Sequence, residues 1–522
     1  MMVATLAGCW DATAQPVDTL TVSYKEHHQL FSTTIDSWLQ NPALRYGVYA
    51  VSYGQLSVYL NRSHEHQAFV VQEGNSLRHT GVEAHSYRRL GSAAVPSLSE
   101  RRGTVVWGEA SYQHGRRDNV EWNSSSDWAT VYPFVLADTL GGNRKTERYT
   151  FRGGCATRLG NWTIGEDVVF RAEHEWSTHD PRMRGVVTDL KATVGVSRRM
   201  LGHQVAVGGL LKLYKQTNSV EFYRDEGVVP EYQMSGLGQW YERFSGTNNS
   251  AYYKATGWGG DIGVRPEVGS TRRGGLLLTT HYTYTPYKRI LSSLNAMPIQ
   301  KLYVTDWDAR LGWMQAFGQT SLPARQLRVA AWVAHSGSHR RGDEIIAGQS
   351  TASEYVERGN LTMYRDRLTD IHGGLMMAFG GATVILQSGR QRYGSVYAFP
   401  NTSLDFKKNY IRGDMQWQLT AQRYVLSADI ACDYYHTLSE QFTPSPSTPH
   451  TAPATLLVPP SSLLRLSAGI HAQWHPSFMG AFGLFGEVRA AYLRNDADVI
   501  IPDRAITDNK GFLLHTAVGI TF

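Results

Sequence analysis

The last twelve residues, Gly511 to Phe522, alternate without a break. Phe512, Leu514, Thr516, Val518, Ile520 and Phe522 fall on one face, and Gly511, Leu513, His515, Ala517, Gly519 and Thr521 on the other. A strand with one apolar face for lipid and one small or polar face for a lumen has this period of two. Gly519, Ile520 and the aromatic carboxy-terminal Phe522 therefore form a candidate assembly signal, addressed to a barrel-assembly machinery in an outer membrane.

The same alternation recurs upstream. Leu190, Ala192, Val194 and Val196 oppose Asp189, Lys191, Thr193 and Ser197, and Leu464, Leu466, Ala468, Ile470 and Trp474 oppose Arg465, Ser467, His471 and Gln473. Leu484, Val488 and Tyr492 likewise oppose Glu487 and Arg489. A soluble sandwich also alternates, so segment length decides. Segments of about 11 to 14 residues suit tilted membrane strands, whereas globular strands average about 5 or 6.

Connections separate into two kinds. Tight turns are expected at Leu159–Asn161, Met200–Gly202, Phe379–Gly381 and Thr420–Gln422, and long ones near 116–148, 217–250, 286–300, 338–366, 393–408, 437–461 and 494–510. Short periplasmic turns and long outer loops are the asymmetry of bacterial barrels. Trp313, Trp417, Trp474 and Phe522 recur at the tight-turn ends, as an aromatic girdle requires. The fold expected over residues 46–522 is an all-β, transmembrane, antiparallel up-and-down barrel of about 18 strands, within a range of roughly 16–20.

Composition narrows the alternatives. Mean hydropathy is −0.33, and no stretch approaches the roughly 18 consecutive apolar residues of a membrane helix. The 50 Gly, 28 Tyr and 14 Trp suit a closed sheet with aromatic belts. Net charge is +6 with the basic residues scattered, which gives nucleic-acid binding no motif and points instead to anionic lipopolysaccharide or an anionic solute. Of the three cysteines, Cys155 and Cys432 share parity with apolar neighbours, so no disulfide framework is expected.

Residues 1–14 read as an incomplete signal peptide, with Ala12-Thr13-Ala14 before Gln15 as its cleavage pattern. Leu6-Ala7-Gly8-Cys9 also resembles a lipobox that would acylate Cys9. The first reading is preferred because a barrel holds itself in the bilayer. Residues 15–45 then form a periplasmic or lumen-plugging segment. Ser32–Leu39 has the look of a short helix stopping before Asn41-Pro42, with Trp38 and Leu39 as plug candidates.

Lumen-lining candidates are Asp189, Lys191, Lys212, Arg465, His471, Glu487 and Arg489, read as a solvated or salt-bridged wall or as a selectivity lining. His64 and His66, two apart on an extended chain, are the metal candidates, against the plainer reading of solvated loop histidines. His335-Ser336-Gly337-Ser338-His339 brings Ser and His together at an expected loop tip, but without a nucleophile elbow. No catalytic residue, enzyme activity or cofactor is expected.

Asn41-Pro42-Ala43, the Ala-Gln cleavage site and the Val518-Gly519-Ile520-Thr521-Phe522 ending resemble a Bacteroidetes outer-membrane barrel. More narrowly, residues 15–522 are similar to a barrel family of that lineage described only as having unknown function. Asn-Pro-Ala also resembles the amino end of FadL-like barrels and of barrels attached to the type IX secretion machinery. The resemblance implies a fold and an outer-membrane location, and no reaction. Two functions are expected: passage or uptake of a small solute, by diffusion through the lumen or beside a separate energised receptor; or a plugged barrel that presents loops to partners or anchors an envelope or secretion complex. The size argues against a roughly 22-stranded energised receptor with its own plug domain.

Overall fold

The computed structural model describes residues 17–90, 102–224, 227–229, 231–241, 250–267, 274–291, 297–318, 326–349, 355–446, 461–501 and 504–522. The signal-peptide reading, with Cys9, lies outside them, as does most of the loop before Ser461.

Two helices come first, α1 (Val17–His27) and α2 (Leu30–Trp38), followed by a 3-10 helix at Pro42–Gly47. Among the described residues, strands then follow without a helical interruption longer than one turn, α3 (Trp128–Val131). They are β1 (Tyr53–Glu65), β2 (Ser76–Leu90), β3 (Arg102–Val120), the short β4 (Leu136–Ala137), β5 (Gly142–Leu159), β6 (Trp162–Trp176) and β7 (Arg182–Met200). Next come β8 (His203–Glu221), the short β9 (Tyr232–Gly236) and β10 (Gln239–Trp240), β11 (Ser250–Pro266), β12 (Gly274–Leu291), β13 (Met297–Phe317) and β14 (Leu327–Gln349). The chain ends with β15 (Tyr355–Phe379), β16 (Ala382–Tyr397), β17 (Thr402–Ala421), β18 (Tyr424–Thr443), β19 (Leu463–Trp474), β20 (Gly483–Ile501) and β21 (Arg504–Thr521).

Eighteen of these strands form one antiparallel sheet. Closure is direct: β1 pairs with β21 from Gln55↔Thr521 to Glu65↔Gly511. At this seam the Gly54 and Phe522 backbones exchange two hydrogen bonds of 2.9 Å each. The sheet therefore has no free edge, and the carboxy-terminal alternation places Ile520 and Phe522 outward and Gly519 inward.

Outward faces are apolar, as at Val194, Ile371, Ile411 and Val518, each more than 60% exposed. Trp313, Trp417, Trp474 and Phe522 are outward and exposed at the tight-turn end. Cys432 is exposed and Cys155 half-buried. The Cys155 thiol donates to the Glu166 carboxylate at 3.5 Å, so that stretch of the outward face is not purely apolar.

Turns of two residues close β5–β6, β7–β8, β15–β16 and β17–β18, at the four expected places. The long-loop expectation needs correction at 286–300, 338–366, 393–408 and 494–510, which are mostly strand. β15 alone runs 25 residues. Polar side chains there read as loop, but ladder hydrogen bonds need only backbone groups and continue past the apolar band. One consequence concerns the Ser-His pentapeptide. It lies inside β14, not at a loop tip, and successive side chains point to opposite faces, so His335 and His339 stand apart from Ser336 and Ser338.

Candidate functional site: a lumen filled from both ends

The amino-terminal segment lies within the ring of strands. Phe31 and Ile35 of α2, with Leu39 and Leu44, share one cluster with Ala206, Leu277, Trp332, Met376 and Ile385. Those partners come from β8, β12, β14, β15 and β16, and only a segment inside the ring reaches all five. Spacing of four residues puts 31 and 35 on one helical face. Trp38 packs at the margin of this cluster, 4.8 Å from the Trp332 ring, with the Arg310 guanidinium 4.5 Å above it. Leu39 is buried.

α1 is seated by aromatic and polar contacts. Tyr24 stacks between His28 at 4.3 Å and His471 at 4.7 Å. The Ala50 amide donates to Glu26 Oε1 at 2.6 Å, and the His27 ring bonds the Val51 carbonyl at 2.8 Å. Burial pushes the Glu26 carboxyl up and holds the His27 imidazole down at about 4. One strand side chain holds the junction of the two helices. Gln416 Nε2 donates to the His28 carbonyl at 2.8 Å, while its Oε1 accepts from the Leu30 amide at 2.7 Å. It supplies the cap that Gln29 does not make.

Asn41-Pro42-Ala43 sits in a notch. Gly165, Gly195 and Gly208 pair across β6, β7 and β8, and Gly208 pairs with Asp261 on β11. A Cβ at Gly195 or Gly208 would overlap the Asn41 side chain, and one at Gly165 would overlap the Pro42-Ala43 backbone. In this space Asn41 Oδ1 caps the 3-10 helix through the Ala43 amide at 3.0 Å, and its Nδ2 donates to Asp261 Oδ2 at 2.8 Å. A tripeptide that reads as a lineage mark is therefore also a seat. The glycine row was visible in the sequence only to someone who knew the register.

Beyond it, Arg45 pairs with Asp36 at 2.9 Å and lies 4.9 Å from the Trp107 ring. Between these helices and the β2–β3–β5 wall is a cavity of about 290 Å³ lined by His27, Asp36, Arg45, Glu83, His85 and Glu109 among others. It is a polar space of small-molecule size.

The other end is filled by the β3–β5 connection. Val131, Phe134 and Val135 pack against Val187, Tyr214, Tyr253, Tyr287 and Leu302 on the inner wall. β4, β9 and β10 make a three-stranded sheet of their own. The buried Arg289 donates to the Val135 carbonyl at 3.2 Å and to Gln300 Oε1 at 3.0 Å, and it also bonds Gln233. Arg340 donates to the carbonyls of Ala129 and Tyr132 at 3.0 and 2.7 Å.

The candidate lining residues divide between these regions. Asp189 lies 3.6 Å from Arg171 and 3.7 Å from Lys212, whose ammonium also donates to the Tyr287 hydroxyl at 3.2 Å. Lys191 is half-buried and Arg465 exposed within the ring. Arg489 bridges Asp429 at 3.2 Å and Glu487 at 3.7 Å. His471 differs from its expected role. Bonded to Glu487 at 3.2 Å and stacked on Tyr24, it is 5% exposed and forms part of the helix seat instead of an open lining. His64 and His66 are exposed at and just beyond the end of β1, away from the filled lumen. Among the described residues no group of three or more His, Cys, Asp or Glu side chains is placed to hold a metal ion.

Among curated proteins, none matches the sequence. Solved barrels of similar shape include the ferric preacinetobactin receptor BauA from Acinetobacter baumannii, at 8% identity over 89% of this chain and 80% of that one, TM-score 0.36. A Pseudomonas aeruginosa FadL homologue matches at 12% identity over 93% of each chain, TM-score 0.34. OccAB1 from Acinetobacter baumannii matches at 10% over 91% and 98%, TM-score 0.31. Residues 42–522, from the seated tripeptide to the closing strand, match a family described as of unknown function, DUF6850, and the chain belongs to that family.

Proposed function

We propose that this chain is a gated barrel of the outer membrane of a Gram-negative bacterium, and that it passes or receives a small solute when its amino-terminal plug moves. The observation that carries the reading is the nature of the plug's seat. Beside the apolar cluster that α2 makes through Phe31 and Ile35, Gln416, the glycine notch and the Arg45–Asp36 pair hold the plug by polar, local contacts around a cavity of about 290 Å³. Contacts of this kind release and re-form at modest cost. Collaboration with a separate energised receptor fits a plug that lies at the tight-turn, periplasmic end. The reading assigns no catalysis and no cofactor to the chain, and the narrower Bacteroidetes attribution rests on the sequence resemblance.

A second reading is favoured by the other filling. Phe134 and Arg289 close the long-loop end with buried contacts, as suits a permanently plugged barrel that presents its loops to a partner or anchors an envelope complex. Planar-bilayer recording separates the two. The wild-type chain is expected to be silent, and deletion of residues 18–40 to give stable open steps. Silence of the deletion variant, with the barrel folded, would discard gating and leave the interaction role.

A further inference from the structure

The outward face carries basic residues in rows. Arg62, Arg78, Arg116 and Lys145 stand directly opposite one another across β1, β2, β3 and β5, at Arg62↔Arg78, Arg78↔Arg116 and Arg116↔Lys145. A second row, Lys215↔Lys254, Lys254↔Lys288 and Lys288↔Lys301, crosses β8, β11, β12 and β13. Shorter pairs recur at Arg341↔Arg365 and Arg392↔Lys407. Parity puts all of them on the side of the exposed Val58, Val82, Tyr112, Leu213, Trp258 and Leu311, away from the lumen.

Like charges directly opposite in a sheet destabilise it, so rows of four need an anion to offset them. Protein carboxylates offset only some members. Arg116 pairs with Asp118 and Lys301 with Glu357, whereas Arg62, Arg78, Lys145, Lys215, Lys254 and Lys288 have no carboxylate partner among the described residues. Lys215 lies 5.5 Å from the Tyr252 ring, and Tyr112 and Tyr149 lie 4.9 Å apart just below the first row. Aromatic residues under a basic row mark an interface between hydrocarbon and headgroups.

Height agrees. Lys215 is twelve residues along β8 from His203 at the tight-turn end, on the order of 30 Å along the membrane normal for a strand tilted by roughly 40°. That is just above an apolar band about 25 Å tall, on the long-loop side. Each row of four strands spans about 14 Å at roughly 4.8 Å per strand, wider than a single phosphate group.

We infer that the two basic rows, Arg62–Arg78–Arg116–Lys145 and Lys215–Lys254–Lys288–Lys301, are docking sites for a glycolipid of the outer leaflet that carries more than one phosphate. The inference rests on the outer-membrane placement proposed above but not on gating, and lipid binding is read independently of conductance.

The test is native mass spectrometry of the full chain in detergent with bisphosphorylated lipid A, fully dephosphorylated lipid A and phosphatidylglycerol. Wild type is expected to retain the bisphosphorylated form and to release it as salt rises. Lys215→Gln/Lys254→Gln/Lys288→Gln, checked for an unchanged folded gel mobility, is expected to lower retention about tenfold or more, at the per-charge strength of basic residues near anionic lipid. Equal retention of the dephosphorylated form by wild type would overturn the inference. So would equal retention of phosphatidylglycerol, which would make the rows a general anionic-lipid surface. These wild-type comparisons decide the matter even if the triple variant does not fold.

Discussion

Gly195 and Asn41 meet where a single methyl group decides whether the plug seats. Gly195→Ala places a Cβ onto the Asn41 side chain from the wall side, and the strand itself tolerates alanine. The expected result is a folded barrel with raised conductance. Asn41→Ala removes the cap and the bond to Asp261, a loss of about 1–2 kcal/mol in plug seating, and should open the lumen less often than the glycine change. If both variants stayed as silent as wild type in planar bilayers, the notch would have no part in seating. His27 adds a pH dependence. Its imidazole lies at about 4 in the seated plug against an ordinary 6.5, so the released plug takes up the proton more readily. Seating is then strongest above about pH 6.5 and weakens as pH falls toward 4, by about 3 kcal/mol over that window. His28 shifts in the same direction, and Glu26, raised by burial, in the opposite one. Open probability should rise below about pH 6, and His27→Gln should flatten that rise; an unchanged pH profile would assign the effect elsewhere.

At the scale of the element, the strands were legible and the plug only in part. Alternation in 464–474 and 511–522 gave the faces correctly because a residue's side follows from its parity alone. The expected helix over Ser32–Leu39 is real but starts earlier, at Leu30, because Gln416 supplies its amino-terminal partner from almost 400 positions away. α1 went unseen. Its contacts are made by Tyr24, Glu26 and His27, with His28 just beyond its end, which give no apolar stripe, and a helix that buries polar groups has no periodic signature. The outer strand ends were read as loops for the complementary reason, that their side chains leave the apolar band while their backbones keep pairing. For α2 the expectation is specific. Phe31→Ala with Ile35→Ala removes two buried anchors, each worth about 2–5 kcal/mol when truncated in a packed core, enough to expose residues 17–47 to protease added from the tight-turn side. Persistent protection would show that α1 and the notch hold the segment without α2.

For the whole molecule, the closed ring and the filled lumen each carry an expectation. The eighteen-stranded sheet closes on itself without an edge, so the folded chain should migrate faster than the boiled one on a detergent gel; loss of strand signal on mild heating, with no mobility difference, would contradict a membrane barrel. Inside, the seven lining candidates stand on the lumen-facing side of their strands, but which of them face water is not legible in the sequence. That depends on what fills the lumen, and the fillings come from residues 17–47 and 121–137, far in sequence from the walls they cover. Arg489, half-exposed and shared by Asp429 and Glu487, is the charge best placed to act on ions. In the background of the 18–40 deletion, Arg489→Glu should shift the channel toward cations, read as a change in reversal potential; an unchanged potential would remove Arg489 from the conducting path.

The glycine row gives the barrel a memory of its plug. Two glycines on separate strands leave room for the Asn41 side chain and a third for the Pro42-Ala43 backbone, more than a hundred positions upstream, so a change on one side of the joint calls for a change on the other. Descendants that enlarge position 195 are expected to have shrunk position 41, and those that lost the plug to have refilled the notch. An alignment of the family would then date the gate by the wall that outlived it.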